Sequence, residues 1–509
     1  MSTSGASHRF ASAAGFLLAA GLLFWAMAGL SAWITQGQLL RDARQQLTTL
    51  REGQPLWQWT LRKPGDLVAG RAFGQTDIAS DADGLDFTSR DGSPFELGLP
   101  LSGPVDLRHW PLLRLRLESN AAGTLGLSYQ ASEASDACAA IDAVPISPGL
   151  TEQLIDLRAL SWHGAHDASC PSPDVVSYML RLRPHLPAQA TLHLAQAALL
   201  ANEPPGLPTT INTDAADFRL PSTHTLTPLP TTIPHSAPLV RLPAEASAES
   251  MLSLRDRVRQ HWPAALVVPW GQSVSSVRAY AMPPWLDWMA CGIYLTWLIG
   301  LAWWHTREVR HPWIEVATIA AGPLWLIAGL RWGPQISLPG VIAFVASLVY
   351  AGQAEWRRRP VSWSWWGRNW SDWLWPLVPI PVAIALTLAD GHRLVRLDTG
   401  HMLTYLAWAL LQQWAMLAIV MGRLRHTRLP QPVIVLITGG LFGLLHTPNG
   451  SLMQLCLAAE LWWAWRFLRS PRLLPIALAH AASALLVESG LTGHLLRSLE
   501  VSARFFLFQ

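Results

Sequence analysis

The residues best suited to chemistry fall late in the chain, in stretches otherwise almost free of charge. Gln412-Gln413 comes first, then Phe442-Gly443-Leu444-Leu445-His446-Thr447-Pro448-Asn449, then Glu460 and finally His480. Polar groups among apolar ones are costly in a bilayer, so such a set marks either a site or hydrogen bonds between packed helices. Read as a site, two histidines from separate segments and an amide pair from a third would gather a water and a substrate carbonyl away from lipid. Glu460 is a carboxylate inside an apolar segment, open to two readings: a general base, or a group that pairs with Arg466 or lies near the bundle's interior water. Rings of His446 and His480 more than about 12 Å apart could not share a water, which would leave helix contacts as the explanation. Gln412 and Gln413 stand roughly 100° apart around a helix, so one can face a shared pocket while the other bonds a neighbouring helix. There is no HExxH and no His/Cys set of zinc spacing, so the residues require no cofactor and do not demand a metal. Neither a GxSxG nor a P-loop pattern is present, which removes support for a serine hydrolase or a nucleotide-driven transporter.

These residues need helices that cross a membrane, and the composition supplies them. Half of the 509 residues are hydrophobic and 14% are charged, with a mean hydropathy of +0.23. That is too apolar for a typical soluble enzyme and excludes a disordered chain. The 28 tryptophans against 6 tyrosines fit indole rings at the lipid–water boundary. A formal charge of +3 argues against nucleic acid as a partner, and makes the lipid bilayer the expected one.

Apolar blocks divide the chain into four parts: an N-terminal anchor at 1–35, a β-sandwich domain at 36–200, a Pro-rich linker with an amphipathic helix at 201–283, and an eight-span membrane domain at 284–509. The first block runs uncharged from Ala11 to Ile34, enough to span a bilayer as a helix. Ala26-Met27-Ala28 resembles a signal cleavage site, but the apolar run continues past it and only Arg9 is charged before it, so the segment reads as a retained anchor. The remaining spans are expected at 285–304, 313–330, 336–354, 371–389, 401–422, 433–447, 451–468 and 473–491. Alternate loops hold Arg307 and Arg310, then Arg357, Arg358, Arg359 and Arg368, then Arg423, Arg425 and Arg428, then Arg466, Arg469 and Arg472. By the positive-inside rule those loops are cytoplasmic, in a bacterial inner membrane, which puts the N-terminus in the cytoplasm and residues 36–283 in the periplasm. Glu355 beside Arg357–Arg359 reads as a topological anchor whose charges reach water, and Glu315 as another span-end residue.

The 36–200 stretch shows short β-rich runs at 85–88, 95–99, 112–117, 125–129, 153–157, 177–182 and 191–199, separated by turn residues. That rhythm favours an all-β sandwich or jelly roll. Cys138 and Cys170 share the domain and are expected to pair in an oxidising compartment. Trp110, Trp162, His163 and His166 could offer a sugar-stacking face, or the tryptophans could simply pack. A periplasmic protein or a glycan is therefore a candidate partner.

Over about residues 370–490 the chain resembles the CPBP intramembrane proteases, the CAAX-protease and bacteriocin-processing or Abi family. Its members carry EExxxR, FxxxH and HxxxN motifs in that order. Phe442–His446 matches the second, Leu474–His480 leads into the third, and Leu461-Trp462-Trp463-Ala464-Trp465-Arg466 looks like the family's aromatic helix before a basic loop. Gln412-Gln413 stands where the glutamate pair is expected, Leu417 at the arginine position and Ala484 at the asparagine position. The resemblance implies a CPBP-like bundle, and in the family glutamate and histidine are held to activate a water for peptide hydrolysis. An amide cannot take the proton a carboxylate would, though it can still bond a water or a carbonyl. Two functions follow. One is an intramembrane protease, or a degenerate homologue, acting on a membrane-inserted or lipid-linked peptide recruited by the periplasmic domain. The other is a non-catalytic scaffold in envelope or polysaccharide assembly.

Overall fold

The structure is a computed structural model that describes residues 3–507 except 54, 56, 102–104, 131–135, 165–169, 171–175, 178, 202–208, 213–215, 221–236, 277–282, 305–310, 334–335, 359–360, 392–393 and 494. Side chains are described from residue 13, Asp106 and Val176 excepted. His166, Arg307, Arg310 and Arg359 lie outside the described residues. The chain forms two compact units, one of residues 39–245 and 254–279, the other of residues 1–38, 246–253 and 280–509.

The first unit is built on two antiparallel sheets. One has six strands, running Gly149–Asp156, Leu112–Ser119, Thr191–Leu200, Leu85–Ser89 and Thr76–Ser80 in space, with Trp57–Thr60 also paired to Thr191–Leu200. The other has five: Ala72–Phe73, Glu96–Leu99, Met179–His185, Gly123–Gln130 and Cys138–Ile146. The run Leu-Leu-Arg-Leu-Arg-Leu-Glu-Ser at 112–119 alternates, so Leu113, Leu115 and Leu117 turn inward while Arg114 and Arg116 turn outward. They share one core with Leu125, Leu127, Leu180 and Leu182 of the second sheet, making a β-sandwich. Each such leucine stabilises the fold by about 1.5–3 kcal/mol relative to an exposed one. Cys138 and Cys170 are disulfide-bonded, their Cα atoms 5.9 Å apart.

Of the two readings of the tryptophans the structure bears out packing, and one expectation changes. Trp110 is only 3% exposed and belongs to the core, in one cluster with Leu107 and Leu113. Trp162 packs edge-on to Tyr129 and donates to the Leu157 carbonyl at 2.9 Å. No stacking face forms from these two rings. The Pro-rich stretch, read as a linker for want of periodicity, contributes strands at Thr210–Ile211, Phe218–Arg219 and Leu239–Arg241. Leu239–Arg241 pairs in parallel with both Phe218–Arg219 and Leu266–Val268. Strands of two or three residues are too short to show a period, and buried parallel strands have none.

The second unit is helical: α1 Thr3–Arg51 through its first part, α2 Ala248–His261 likewise, then α3 Trp285–Trp304, α4 Pro312–Ile327, α5 Leu338–Arg357, α6 Trp370–Leu374, α7 Pro379–Asp390, α8 Thr399–Gln413, α9 Gly422–Leu424, α10 Gln431–Leu444, α11 Gly450–Arg469 and α12 Leu473–Leu491. Among the described residues, six stretches are long and apolar enough to cross a membrane: Ala13–Arg51, Trp285–Trp304, Leu338–Arg357, Trp370–Asp390, Thr399–Leu424 and Leu473–Leu491. The protein is thus a multi-pass membrane protein. Helices α4 and α10 are apolar but shorter, at 16 and 14 residues, and α11 carries Glu460, Arg466 and Arg469.

Glu355 and Glu315 do not reach for water. Glu315, fully buried, accepts from Arg358 at 2.6 and 2.7 Å and from Arg423 at 2.9 Å. Arg423 also donates to Glu355 at 2.8 Å, which in turn accepts from Trp363 at 3.0 Å. Four charges from α4, α5 and α9 satisfy one another, because buried charge is tolerated only when paired and hydrogen-bonded.

Candidate active site

Helix α8 begins at Asp398, whose side chain accepts from the His401 amide at 3.1 Å, and ends on the amide pair. A π-helical stretch, Trp414–Met421, follows at once; such insertions re-aim side chains and concentrate at functional sites. Helix α10 stops at Leu444, so His446 sits in the turn before α11 and not within a span as expected. Pro448 cannot continue the helix, and Asn449 caps α11 by accepting from the Leu452 amide at 3.2 Å.

The bundle brings the expected residues together from four segments. Gln413 Nε2 donates to Glu460 at 2.9 Å and lies 3.2 Å from His480 Nδ1. Both Gln413 and Glu460 are fully buried. The His446 ring is 4.9 Å from the Phe442 ring and the His480 ring 5.5 Å from it. Their separation cannot exceed the sum of those distances, which is below the about 12 Å limit for a shared water. Gln412, His446 and His480 line one cavity of about 180 Å³, joined by Tyr405, Cys456 and Ser483. Glu460 and Gln413 stand behind that lining. Arg466 does not pair with Glu460; it donates to the Ser371 carbonyl at 3.4 Å.

The hydrogen-bond partners fix what each imidazole can do. His446 Nδ1 is 2.8 Å from the Phe442 carbonyl, an oxygen that only accepts, so the neutral ring carries its proton on Nδ1 and leaves the Nε2 lone pair free. His480 Nδ1 faces an amide donor, so the neutral ring carries its proton on Nε2. One histidine offers a base and the other a donor. Gln412 Oε1, Gln413 Oε1 and Glu460 Oε1 are buried without a hydrogen-bond partner among the described residues, an arrangement that favours a polar occupant nearby. Among the described residues, the three-ligand group close enough to hold a metal ion is Asp81, Asp86 and His193 in the β unit. The intramembrane histidines belong to no such group.

Sequence reading did not mark Cys456, Ser483 or Tyr405 as site residues. The first two were within reach, since Cys456 is one turn from Glu460 and Ser483 three residues after His480. Nothing in the sequence signals Leu499 and Val501, which complete the cavity wall from the tail. Leu417, at the arginine position of the resembled motif, is fully buried among apolar neighbours, and Ala484 lines the cavity.

Comparison with known proteins adds two likenesses. Residues 400–486 match the Type II CAAX prenyl endopeptidase Rce1-like family. A family 11 carbohydrate-binding module from Clostridium thermocellum, solved with a beta-1,3-1,4-mixed-linked tetrasaccharide, is similar over 26% of this chain and 84% of its own, at 11% identity and a TM-score of 0.19. No curated protein sequence matches the chain.

Proposed function

Residues 400–486 form an Rce1-like domain, and from that premise we propose that the protein is an intramembrane peptidase of altered chemistry, acting on a membrane-inserted or lipid-linked peptide. One observation carries the reading: the Gln413 amide joins buried Glu460 to His480, at 2.9 and 3.2 Å, behind a cavity that His446 shares. In this mechanism His446 Nε2 takes a proton from water as the hydroxide adds to the scissile carbonyl. The His480 Nε2 proton bonds the oxyanion. The tetrahedral adduct then collapses, the C–N bond breaks, and the proton held by His446 passes to the leaving amine. Gln412 bonds the peptide or the water from the cavity wall. Gln413 and Glu460 are positioning residues, since they fix the His480 tautomer without facing the substrate. None of these steps requires a metal.

The basic loops support a bacterial inner-membrane placement with the N-terminus cytoplasmic and residues 36–283 periplasmic, where the β-sandwich would recruit a protein or glycan. A phosphatase fused after Gly271 should be active and one after Arg368 inactive; the reverse pattern would overturn that placement. The purified protein should cleave at least one member of a panel of membrane peptides, and His446→Ala should abolish it. Equal background from both proteins across the panel would favour the second reading, a non-catalytic scaffold, which the amides at 412 and 413 support.

A further inference from the structure

Beyond α12 the chain turns back onto the same cavity. Leu499 and Val501 line it together with Gln412, His446 and His480. Asn449, fully buried and three residues after His446, donates through Nδ2 to the Ser498 carbonyl at 2.7 Å and to the Glu500 carbonyl at 3.2 Å. Val501 is extended, with φ −123° and ψ 172°, and the Ser502 amide donates to the Thr447 carbonyl at 2.7 Å. Ser498 and Glu500 therefore present their carbonyls to the turn that carries His446, while Leu499, where the chain bends, and Val501 line the cavity. Extended peptides are bound in this way elsewhere, main chain by hydrogen bonds and every second side chain by pockets.

We propose that Ser498–Val501 is a built-in pseudosubstrate held at the cavity wall, and that the place it takes accepts peptide segments with aliphatic residues two positions apart. The proposal rests on the peptidase reading above and deepens it. Asn449 engages the carbonyls of residues 498 and 500, which would keep both from the His480 donor. The segment is also fastened on its far side: Arg497 donates to the carbonyls of Phe505 and Leu507, at 2.5 Å each, and Ser502 Oγ donates to the Leu326 carbonyl at 3.2 Å while accepting from the Trp332 amide at 3.1 Å. A tethered occupant competes at high effective concentration, so an external peptide binds with an affinity reduced by the fraction of molecules that are open.

The test compares the full chain with L499A/V501A, both carrying Cys291→Ala, in lipid nanodiscs. A fluorescein-labelled synthetic peptide containing Ser-Leu-Glu-Val is titrated in, and the rate at which a maleimide labels Cys456, a lining residue, is followed. L499A/V501A should bind the peptide at least about tenfold more tightly and label at least about tenfold faster, as removal of an internal competitor requires. Should that variant lose its melting transition, V501A alone should show the same two changes at about threefold. Unchanged affinity and labelling would overturn the pseudosubstrate, while His446-dependent cleavage by both proteins would leave the peptidase reading standing. Faster labelling without tighter peptide binding would also overturn it. Tighter binding and faster labelling with no cleavage would uphold the pseudosubstrate and remove catalysis.

Discussion

The side-chain nitrogen of Gln413 lies 2.9 Å from a carboxylate oxygen of Glu460, on a different helix of the bundle. A carboxylate is therefore present behind the histidine site although positions 412 and 413 are amides. It arrives from α11 and is hydrogen-bonded to an amide rather than standing in place of one. Among the described residues no cation pairs with Glu460, so Gln413 alone holds it.

Glu460→Gln should lower kcat by about 10- to 100-fold with KM little changed, the loss expected when the partner that orients a histidine is removed. The melting temperature should shift little, since the amide has the same shape. An unchanged kcat would remove Glu460 from the reaction and leave it a helix contact.

Gln413→Glu should destabilise the bundle by about 1–3 kcal/mol, because it removes the donor that Glu460 and His480 both face. The swap Q413E/E460Q should recover most of that stability by reversing donor and acceptor. It should not recover cleavage, because His480 would then turn its proton towards position 413. A double variant as unstable as Q413E would show that the pair is not coupled.

Glu315→Ala should cost about 3–5 kcal/mol, leaving Arg358 and Arg423 as buried charges without their shared partner. A thermal melt in detergent reads this directly. A loss under about 1 kcal/mol would place the cluster among weakly contributing ion pairs.

The Cys138–Cys170 bridge closes a loop of 32 residues in sequence separation. Replacing both cysteines with alanine should lower the stability of the β unit by about 3–4 kcal/mol through the entropy of the freed loop. Intact stability in the double variant would show that the sandwich core alone suffices.

Acid should also weaken the β unit. The Arg158 side chain bonded to Asp156, with the Arg158 backbone amide, holds that carboxyl below its ordinary value. The contribution is present above the unfolded carboxylate range, near about pH 4, and is lost as pH falls through the lower folded value. Asp156→Asn should flatten the acid limb of a melting-temperature profile; an identical limb would assign it to other carboxylates.

By itself the sequence determined the membrane class, the β-rich unit and the short roll of polar residues that the bundle gathers. Those signals are local: uncharged runs long enough to span a bilayer, alternation at Leu112–Leu117, and polar side chains that stand out in apolar stretches. Only the tertiary structure decided what each residue does. It set Gln412 into the cavity and Gln413 behind it, gave Glu460 to Gln413 instead of Arg466, and drew Glu355 and Arg358 into a buried network. It also laid Leu499 and Val501 beside His446. Partners in these contacts are 47, 68 or 43 residues apart in the chain. No periodicity reports them, because the choice among partners depends on which helix faces meet, and burial enforces that choice by penalising every polar atom left unpaired.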